Sequence, residues 1–496
     1  MQQIFTHRWL WVAQLGLGGW QPLLAQNNAP IQYGTHFPIQ TARFAPSKLG
    51  DNHNQLNINL MNMYVWTSNN FANYNDINNT FIQQNINTAV VQKELGELSD
   101  RNHLGVGVYF QPISVSYKFL KRLGIHSINN EKQIKQAPYV PTNYPYKDVE
   151  ERFTVSFEVA ERVEANLIFS KQLAELVWYG NGDARFLGRT VNLGDYGGNF
   201  FYQREIAVGF AMPIEDYLFR SDRYKLRVGG RLKYIMSMAN VYNPSSRMQL
   251  TTNPATVTTQ SSLLFDINYR LNSANSIGRN FDNIDPLNLL TSIAGHGMGI
   301  DLGGTFTLDE RLAFTASLLD VGFVSYSTKT SNYSTRQNIN FDGVAVTGLG
   351  TGSSTNVLDS LSRLVQGVAS TGRYTTPLPT RLAIQAEYRI PGVNRNGVPY
   401  FKHQFFLTYT QGFLNYGSAI TRPNLMMGYT YDIKSVFNVG LSMSVGGYNQ
   451  FTAGPFFSVR AGAFRFGLGS GNIAALFLKN VNTGVDFTFN LGLAFR

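Results

Sequence analysis

Residues Val485–Phe495, VDFTFNLGLAF, alternate without interruption between large apolar side chains and small or polar ones, and only Arg496 follows them. Successive side chains of a β-strand point to opposite faces, so this stretch predicts a strand with one apolar and one polar face. The apolar face needs either a protein core or lipid beside it. The pattern in the rest of the chain distinguishes the two.

Period-two alternation recurs along the chain and is clearest over Tyr224–Met236. There, large apolar residues hold one parity, while the other parity carries Lys225, Arg227, Arg231 and Lys233. Comparable alternation marks Phe153–Val159, Ile206–Met212, Leu382–Ile390 and Phe437–Val445. Small and long charged residues share the polar parity, as in a barrel lumen filled by side chains and water. The sequence therefore predicts an all-β fold, a single transmembrane antiparallel β-barrel of about 14 strands with long loops and short inserted helices.

The two ends of the chain indicate export and insertion. A positive residue, Arg8, precedes an apolar stretch that ends at the small residue Ala25, which is the layout of a secretory signal. We expect a signal peptide over 1–25, an N-terminal extension over 26–50 and an outer-membrane barrel over 51–496. The final strand resembles the one by which outer-membrane barrels are recognised, so the barrel assembly machinery is an expected partner. A buried last strand of a soluble β-sandwich is the alternative.

Composition narrows the partners. The chain has 41 Lys and Arg against 31 Asp and Glu, and it has no Cys. The charges are spread singly through alternating strands, and export separates the protein from nucleic acid, so we expect no nucleic-acid partner and favour outer-membrane lipid. Without Cys, the chain has no disulfides, thiolate nucleophiles or thiolate metal sites.

Three regions interrupt the alternation. Asn69–Arg101 is rich in Asn and then carries apolar residues at helical spacing over Val90–Leu98, which predicts a short amphipathic helix. Phe341–Thr375 leads into a second helical pattern, and Leu271–Gly297 predicts a long loop. These regions either fold into the lumen as plugs or lie on the surface as loops, and the surface reading is favoured.

Aromatic residues gather near the predicted strand ends, as in the girdles that outer-membrane barrels place at lipid interfaces. They are Tyr64, Trp66, Tyr117, Phe119, Trp178, Tyr179, Tyr242, Phe323 and Tyr326. The ordinary preference of aromatic residues for strands is the alternative explanation.

No catalytic or cofactor motif stands out. The sequence has no Gly-x-Ser-x-Gly elbow, no phosphate-loop Gly-Lys pair and no His-Glu-x-x-His helix, and its seven His residues are scattered singly. We therefore predict no enzyme, no cofactor and no metal site. An outer-membrane lipase, with a Ser and a His brought together on neighbouring strands, ranks third among the functions considered.

The candidate functional residues are charged side chains predicted to line the lumen. They are Lys225, Arg227, Arg231, Lys233, Glu205, Arg381, Glu387 and Arg389. A turn near Asp216–Asp222 would place Glu205 roughly opposite Arg231 and Lys233. Cross-strand ion pairing is the favoured interpretation, because charged residues inside a membrane protein usually pair. An anion-selective or headgroup-binding lumen is the functional alternative.

Several stretches together resemble an uncharacterised family of outer-membrane proteins from Bacteroidota, whose domain has no known function. They are Phe153–Asn181, Leu187–Leu193, Arg204–Phe210, Gly229–Tyr234, His296–Gly303, Leu319–Phe323 and Leu378–Arg381. That family is similar in architecture to long-chain fatty-acid transporter barrels and to the shuttle barrel of type IX secretion, which have inward-folded segments. The resemblance implies an architecture and carries over no binding residue.

Two functions remain. The favoured one is a non-enzymatic barrel that binds or passes a hydrophobic or amphiphilic solute, with an N-terminal or inserted segment as a hatch. The alternative is an accessory component of a surface-protein secretion or gliding assembly, in which the long polar loops dock a partner.

Overall fold

The structure is a computed structural model that describes residues 37–52, 54–71, 73, 88–122, 149–194, 197–214, 223–254, 262–275, 291–342, 368–393, 399–449, 451–473, 477 and 484–495. Its strands are β1 (Leu56–Asn69), β2 (Arg101–Arg122), β3 (Val149–Ser170), β4 (Thr190–Asn192), β5 (Gly197–Pro213), β6 (Tyr224–Asn253), β7 (Ser262–Ala274), β8 (Gly295–Leu308), β9 (Leu312–Tyr326), β10 (Ser331–Asp342), β11 (Val368–Ser370), β12 (Tyr374–Pro377), β13 (Arg381–Val393), β14 (Pro399–Gly412), β15 (Asn424–Ile433), β16 (Phe437–Gly446), β17 (Phe451–Ala461), β18 (Phe464–Gly469) and β19 (Asp486–Phe495). The helices are α1 (Pro38–Ala42), α2 (Thr88–Glu97) and α3 (Lys171–Tyr179). Among these residues, no helix is long and apolar enough to cross a membrane.

Fourteen of the strands close an antiparallel barrel. In order around the wall they are β1, β2, β3, β5, β6, β8, β9, β13, β14, β15, β16, β17, β18 and β19. The ring closes between the first and the last strand, where Leu56 pairs with Phe495. Closure leaves the wall without a free strand edge. The predicted barrel and its strand number are thereby confirmed.

The outer face of the wall is apolar and the inner face is polar. Phe157, Val208, Leu232 and Ile300 form one row across four neighbouring strands, and all four side chains point out of the barrel and are exposed. The basic parity of Tyr224–Met236 points inward for most of its length. An apolar outer face around a polar interior is the arrangement of a transmembrane barrel, because lipid covers the outer face.

The two rims of the barrel differ. The first strand begins and the last strand ends at one of them, the terminal rim, where the hairpins over Leu308–Leu312, Ile433–Phe437 and Ala461–Phe464 are short. Gly462 has a positive φ, which such a tight turn requires. At the opposite end, the far rim, longer connections join the strands, including Asn69–Arg101. Most connections at the terminal rim are short, although the one between Arg122 and Val149 is long, and most at the far rim are longer, although the one between Gly446 and Phe451 is short. A predominance of short turns at one rim is usual for bacterial membrane barrels.

Beyond the far rim, β6 continues past the wall into a second sheet. Its Ser245–Asn253 part pairs with β4 and β7, β7 pairs with β10, and β10 pairs with β11. We call this the extension sheet. A small apolar core covers one of its faces, formed by Leu176, Phe186, Val191 and Leu193 against Leu250, Phe265 and Ile267. Helix α3 begins where the Ser170 hydroxyl accepts a hydrogen bond from the Leu173 N–H at 3.1 Å, and Gly180 caps its C-terminal end.

The predicted interruptions of the alternation have different outcomes. The helix expected over Val90–Leu98 is present as α2. The loop expected over Leu271–Gly297 is shorter than predicted, because Leu271 still belongs to β7 and Gly295 already belongs to β8. The second helical pattern, within Phe341–Thr375, lies outside the described residues, as does the signal peptide over 1–25.

Candidate functional site

Residues Phe37–Asn52 lie inside the barrel, and we call them the plug. They form α1 and a 3-10 turn at Pro46–Lys48, and each of these turns begins with a proline. Phe44 and Leu49 are almost completely buried. The C-terminal end of the plug leads into β1 at the terminal rim, so the segment before the first strand folds back into the lumen.

Two inward-facing glycines of the wall, Gly229 and Gly303, form a cradle for the plug backbone. A Cβ at Gly229 would lie only 2.5 Å from the carbonyl oxygen of Pro46 and 2.7 Å from the nitrogen of Ser47. A Cβ at Gly303 would lie 3.0 Å from Cδ of Pro46. Beside them, the hydroxyls of Ser47 and Thr305 share a hydrogen bond of 2.7 Å. Glycine is needed at position 229, because no side chain fits there between the two backbones, whereas a Cβ at position 303 would make a tight contact.

Four alternating charges hold the C-terminal part of the plug, and we call them the latch. Lys48 pairs with Glu387, and Nη2 of Arg389 lies 3.1 Å from Oδ2 of Asp51. Glu387 also accepts a hydrogen bond of 2.8 Å from Nε of Arg389, which joins the two pairs. Burial alone would raise the pKa of Asp51, but the positive charges of Arg389, Arg227 and Lys48 outweigh burial and lower that pKa below its ordinary value.

A second group of buried charged side chains, from five wall strands, forms an ion-pair cluster. Its members are Glu158, Arg162, Glu164, Glu205, Arg231, Lys233, Asp301 and Asp320. Arg231 lies 2.7 Å from Glu158 and 2.8 Å from Asp301. Three cations face five carboxylates here, and the nearby guanidinium groups of Arg43 and Arg381 bring the count to five of each sign. The predicted basic row is therefore neutralised.

The strand geometry at Asp320 supports this cluster. Asp320 has a positive φ of 56°, and the register of β8 with β9 shifts between Ile300 and Leu302. The backbone N–H of Asp320 donates to Oδ1 of Asp301 at 2.6 Å. A non-glycine residue in this conformation is strained, and such bulges re-aim a side chain. The bulge directs the Asp320 carboxylate at Lys233 and Arg162.

Apolar side chains also meet inside the lumen, in a group that we call the apolar belt. Phe44 of the plug packs with Tyr64, Trp66, Tyr109, Phe406, Met426 and Phe456, which come from five strands of the wall. The guanidinium carbon of Arg381 lies 5.2 Å from the centre of the Phe44 ring, and that of Arg43 lies 5.6 Å from it. The lumen therefore combines an apolar belt with the ion-pair cluster.

Rings of the apolar belt lie against inward-facing glycines. Trp66 pairs with Gly107, Phe406 with Gly428, and Phe456 with Gly440 across neighbouring strands. A Cβ at any of these three glycines would overlap the ring opposite. The missing side chain lets each ring fold flat onto the wall, as in known cross-strand pairs of glycine and aromatic residues.

The structure places most of the predicted lumen residues in the interior. Arg231, Lys233 and Glu205 belong to the ion-pair cluster, Glu387 and Arg389 belong to the latch, and Arg381 lies beside Phe44. Arg227 is half-buried, pairs with Glu151 at 2.6 Å and donates to the carbonyl of Ser47.

Two details of that prediction are wrong. Lys225 does not line the lumen, because it lies exposed at the terminal rim and pairs with Glu310. Glu205 is opposite Ile235 rather than Arg231 or Lys233, because the strand register places Pro213 opposite Arg227. Its carboxylate lies 3.2 Å from Nη1 of Arg162 instead. The predicted turn at Asp216–Asp222 lies outside the described residues.

The predicted aromatic girdle is correct only in part. Tyr117, Phe119 and Phe323 are exposed on the outer face. Tyr64 and Trp66 instead point into the lumen, because a bulge between Asn59 and Met61 exchanges the two parities of β1. The remaining members are also placed elsewhere: Tyr326 is buried near the far rim, Tyr242 is half-buried there, and Trp178 and Tyr179 belong to α3.

One Ser and one His do meet on neighbouring strands. Oγ of Ser68 lies 3.5 Å from Nδ1 of His103, and the His103 ring stacks on Tyr448 at 3.9 Å. Both side chains are at most 1% exposed, so a substrate would not reach the hydroxyl. Among the described residues, no group of His, Asp and Glu suits a metal ion.

Comparison with known proteins gives the following matches. The model of a family of unknown function, DUF5723, matches residues 129–471. No curated protein matches. Among solved structures, the chain is similar to the deltaS2S3 mutant of the monoaromatic hydrocarbon channel TodX, with 8% identity and a TM-score of 0.44 over 95% of this chain and 99% of that chain. It is also similar to the Ralstonia pickettii toluene transporter TbuX (9% identity, TM-score 0.38, 97% and 100% covered) and to a Pseudomonas aeruginosa FadL homologue (9%, 0.40, 96% and 100%).

Proposed function

The chain belongs to the family of unknown function DUF5723, and we propose that it is a non-enzymatic outer-membrane barrel that binds or passes a hydrophobic or amphiphilic solute. The apolar belt carries this proposal, because apolar side chains from five wall strands converge inside an otherwise polar lumen. A water-filled pore needs no such belt. An apolar solute, in contrast, gains roughly 25 cal/mol for each Å² of apolar surface that it buries there.

The surroundings of Phe44 fit an amphiphile. Phe44 fills the belt in the plugged state, and the apolar part of a solute would take its place. Next to it, Nη1 of Arg43, Nε of Arg381 and the amide of Gln40 are buried and have no hydrogen-bond partner within the described part of the chain. Buried polar groups normally have partners, so these groups are suited to a polar head group.

Passage requires the plug to leave its seat. The plug fills the lumen between the cradle and the latch, and its side chains hold it by hydrogen bonds, ion pairs and apolar packing. All of these contacts are reversible. We propose that displacement of the plug exposes both the apolar belt and a route along the axis of the barrel.

A reversible lock tests this route. The hydroxyls of Ser47 and Thr305 are 2.7 Å apart, so the double substitution Ser47→Cys/Thr305→Cys brings two thiols within disulfide reach. We expect proteoliposomes with the oxidised variant to take up no fluorescent amphiphile, and uptake to return after reduction. Each single substitution serves as a control. Equal uptake in the oxidised and reduced states would exclude the lumen as the route.

The extension sheet favours a second candidate, an accessory role in a surface-protein secretion or gliding assembly. It has its own apolar core and projects beyond the far rim, so it is suited to hold a partner. Deletion of this sheet would then remove stoichiometric partners from a pull-down out of native membranes. Retention of the same partners, or their absence from the wild-type sample, counts against this role.

The location follows from the same features. We infer that the protein comes from a bacterium of the Bacteroidota and that the signal peptide over 1–25 directs its export out of the cytoplasm. We also infer that the assembly machinery recognises β19 and that lipid surrounds the apolar outer face. Because most of its hairpins are short, we infer that the terminal rim faces the periplasm. We expect a tag inserted at Gly462 to become accessible only after the outer membrane is permeabilised.

A further inference from the structure

The extension sheet presents an exposed face that plays no part in the lumen site. Across β6, β7 and β10, Arg247 pairs with Asn268 and Asn268 with Arg336, while Arg270 lies two residues further along β7. All four side chains are exposed. Given the spacing of residues within and between strands, the three arginines lie within roughly 10 Å of one another. We call this surface the arginine face.

Among the residues that the structure describes, the charge of the arginine face is not balanced locally. Asp266 is the one carboxylate among the described residues of the central rows of this face. In the strand register it lies opposite Gln249 of β6 and Asn338 of β10. Within the described part of the chain, none of the three arginines takes part in an ion pair. The ion-pair cluster in the lumen is different, because it and the two nearby arginines contain five cations and five carboxylates.

The arginine face looks toward the mouth of the barrel. Asn240 is buried on the inner side of β6 and pairs with Ala274 of β7. From Ala274, β7 pairs with β10 without a register shift, so Arg270 and Asn268 lie on the same side as Ala274. The apolar core with α3 covers the other side. A ligand of this face therefore arrives from solution above the mouth rather than from the surrounding bilayer.

We propose that the arginine face binds an anionic saccharide, a sugar chain that carries phosphate or carboxylate groups. Guanidinium groups bind both anions through paired hydrogen bonds. The amides of Asn268, Asn338 and Gln249 both donate and accept hydrogen bonds, as sugar hydroxyls require. Protein interfaces rely on large apolar or aromatic anchors, and Leu264 is the one such exposed side chain among the described residues of this face.

A binding measurement tests the proposal. The probe is the phosphorylated core oligosaccharide released from lipopolysaccharide by removal of its lipid, titrated calorimetrically into the full-length protein in detergent. We expect the Kd to rise about tenfold or more in Arg247→Gln/Arg270→Gln/Arg336→Gln, because the variant loses three charge-assisted contacts to the anion. Each lost contact also reduces the salt dependence of binding. The matched control, Arg223→Gln/Arg311→Gln/Lys434→Gln, removes three charges at the terminal rim and leaves the Kd within about twofold.

Further arms identify the ligand chemistry. The same oligosaccharide after chemical dephosphorylation is expected to bind about tenfold more weakly or worse. Equal binding by the triple variant, equal binding of the dephosphorylated probe, or no binding by the wild type overturns the proposal. Equally tight binding of a polyglutamate peptide also overturns it and indicates an acidic protein partner. If the triple variant does not fold, Arg270→Gln alone is used, with an expected loss of about threefold or more.

Discussion

At the scale of single residues, the lumen depends on positions where a side chain is absent. Gly229 and Gly303 admit the backbone of the plug, while Gly107, Gly428 and Gly440 receive aromatic rings of the apolar belt. The sequence does not reveal these roles, because each depends on which residue of the next strand lies opposite. Residue type and spacing carry no information about that register.

Gly229→Ala should displace the plug. The new Cβ would lie 2.5 Å from a backbone oxygen of Pro46, and backbone is less able to give way than the end of a flexible side chain. The chain has no Cys, so Ala45→Cys can serve as a reporter that is only 2% exposed in the plugged state. We expect its maleimide labelling to accelerate about tenfold, which corresponds to a shift of roughly 1.4 kcal/mol in plug opening.

Gly304→Ala is the matched control for Gly229→Ala. The nearest atom to its new Cβ would be the carbonyl oxygen of Arg227, at 3.9 Å, which is an ordinary contact. Labelling of Ala45→Cys should therefore stay at the wild-type rate. If both glycine variants label alike, the cradle does not seat the plug.

Two basic residues of β6 should differ sharply in their effect on stability. Arg231→Gln leaves Glu158 buried without its cation and Asp301 with Lys233 alone, and it is expected to cost roughly 3–5 kcal/mol. Lys225→Gln removes an exposed ion pair with Glu310, and such pairs contribute about 0–1 kcal/mol. Chemical unfolding in lipid vesicles measures both. A similar loss for the two variants would contradict the division into a buried cluster and an exposed rim.

At the scale of elements, alternation predicted the strands but not the points where the pattern changes. The apolar and basic parities over Tyr224–Met236 lie on the faces that were expected. In β1 the bulge between Asn59 and Met61 exchanges the faces, so Tyr64 and Trp66 were assigned to the wrong side of the wall. The sequence predicts an N-terminal or inserted hatch without choosing between the two, because Phe37–Asn52 has neither strand nor extended helical periodicity and is ordered by contacts with the wall.

The extension sheet should unfold without the barrel. Phe265 is 5% exposed in the core shared with α3, and Phe265→Ala is expected to cost roughly 3–5 kcal/mol locally. Limited trypsin digestion should then cut faster within β7, while the barrel still migrates in its compact form on an unheated gel. The control is Leu264→Ala, next in sequence and 44% exposed, which should leave the digestion rate unchanged. Loss of the compact form in Phe265→Ala would show that the two parts unfold together.

At the scale of the whole molecule, the first and last strands must meet before the wall is complete. Leu56 pairs with Phe495, so the Val485–Phe495 stretch closes the sheet that begins more than four hundred residues earlier. The sequence revealed the closed architecture because every wall strand repeats one physical requirement, an apolar face toward lipid. It did not reveal the plug or the ion-pair partners of the lumen charges, since those depend on contacts between distant strands and the plug.

The requirement for an apolar face toward lipid predicts that the cost of a charged substitution on the outer face depends on its depth in the bilayer. Val208 lies within a continuous apolar row and is 55% exposed, whereas Ile433 is 41% exposed at the end of β15, on the terminal rim. Arginine at the bilayer midplane of such barrels costs roughly 2–4 kcal/mol, against about 0–1 kcal/mol near the interfaces. Val208→Arg should therefore lower the free energy of unfolding in lipid vesicles by the larger amount and Ile433→Arg by the smaller. In detergent micelles, which adapt to a charged side chain, the gap should narrow. Equal costs in vesicles would mean that the row through Val208 does not lie at the centre of the bilayer.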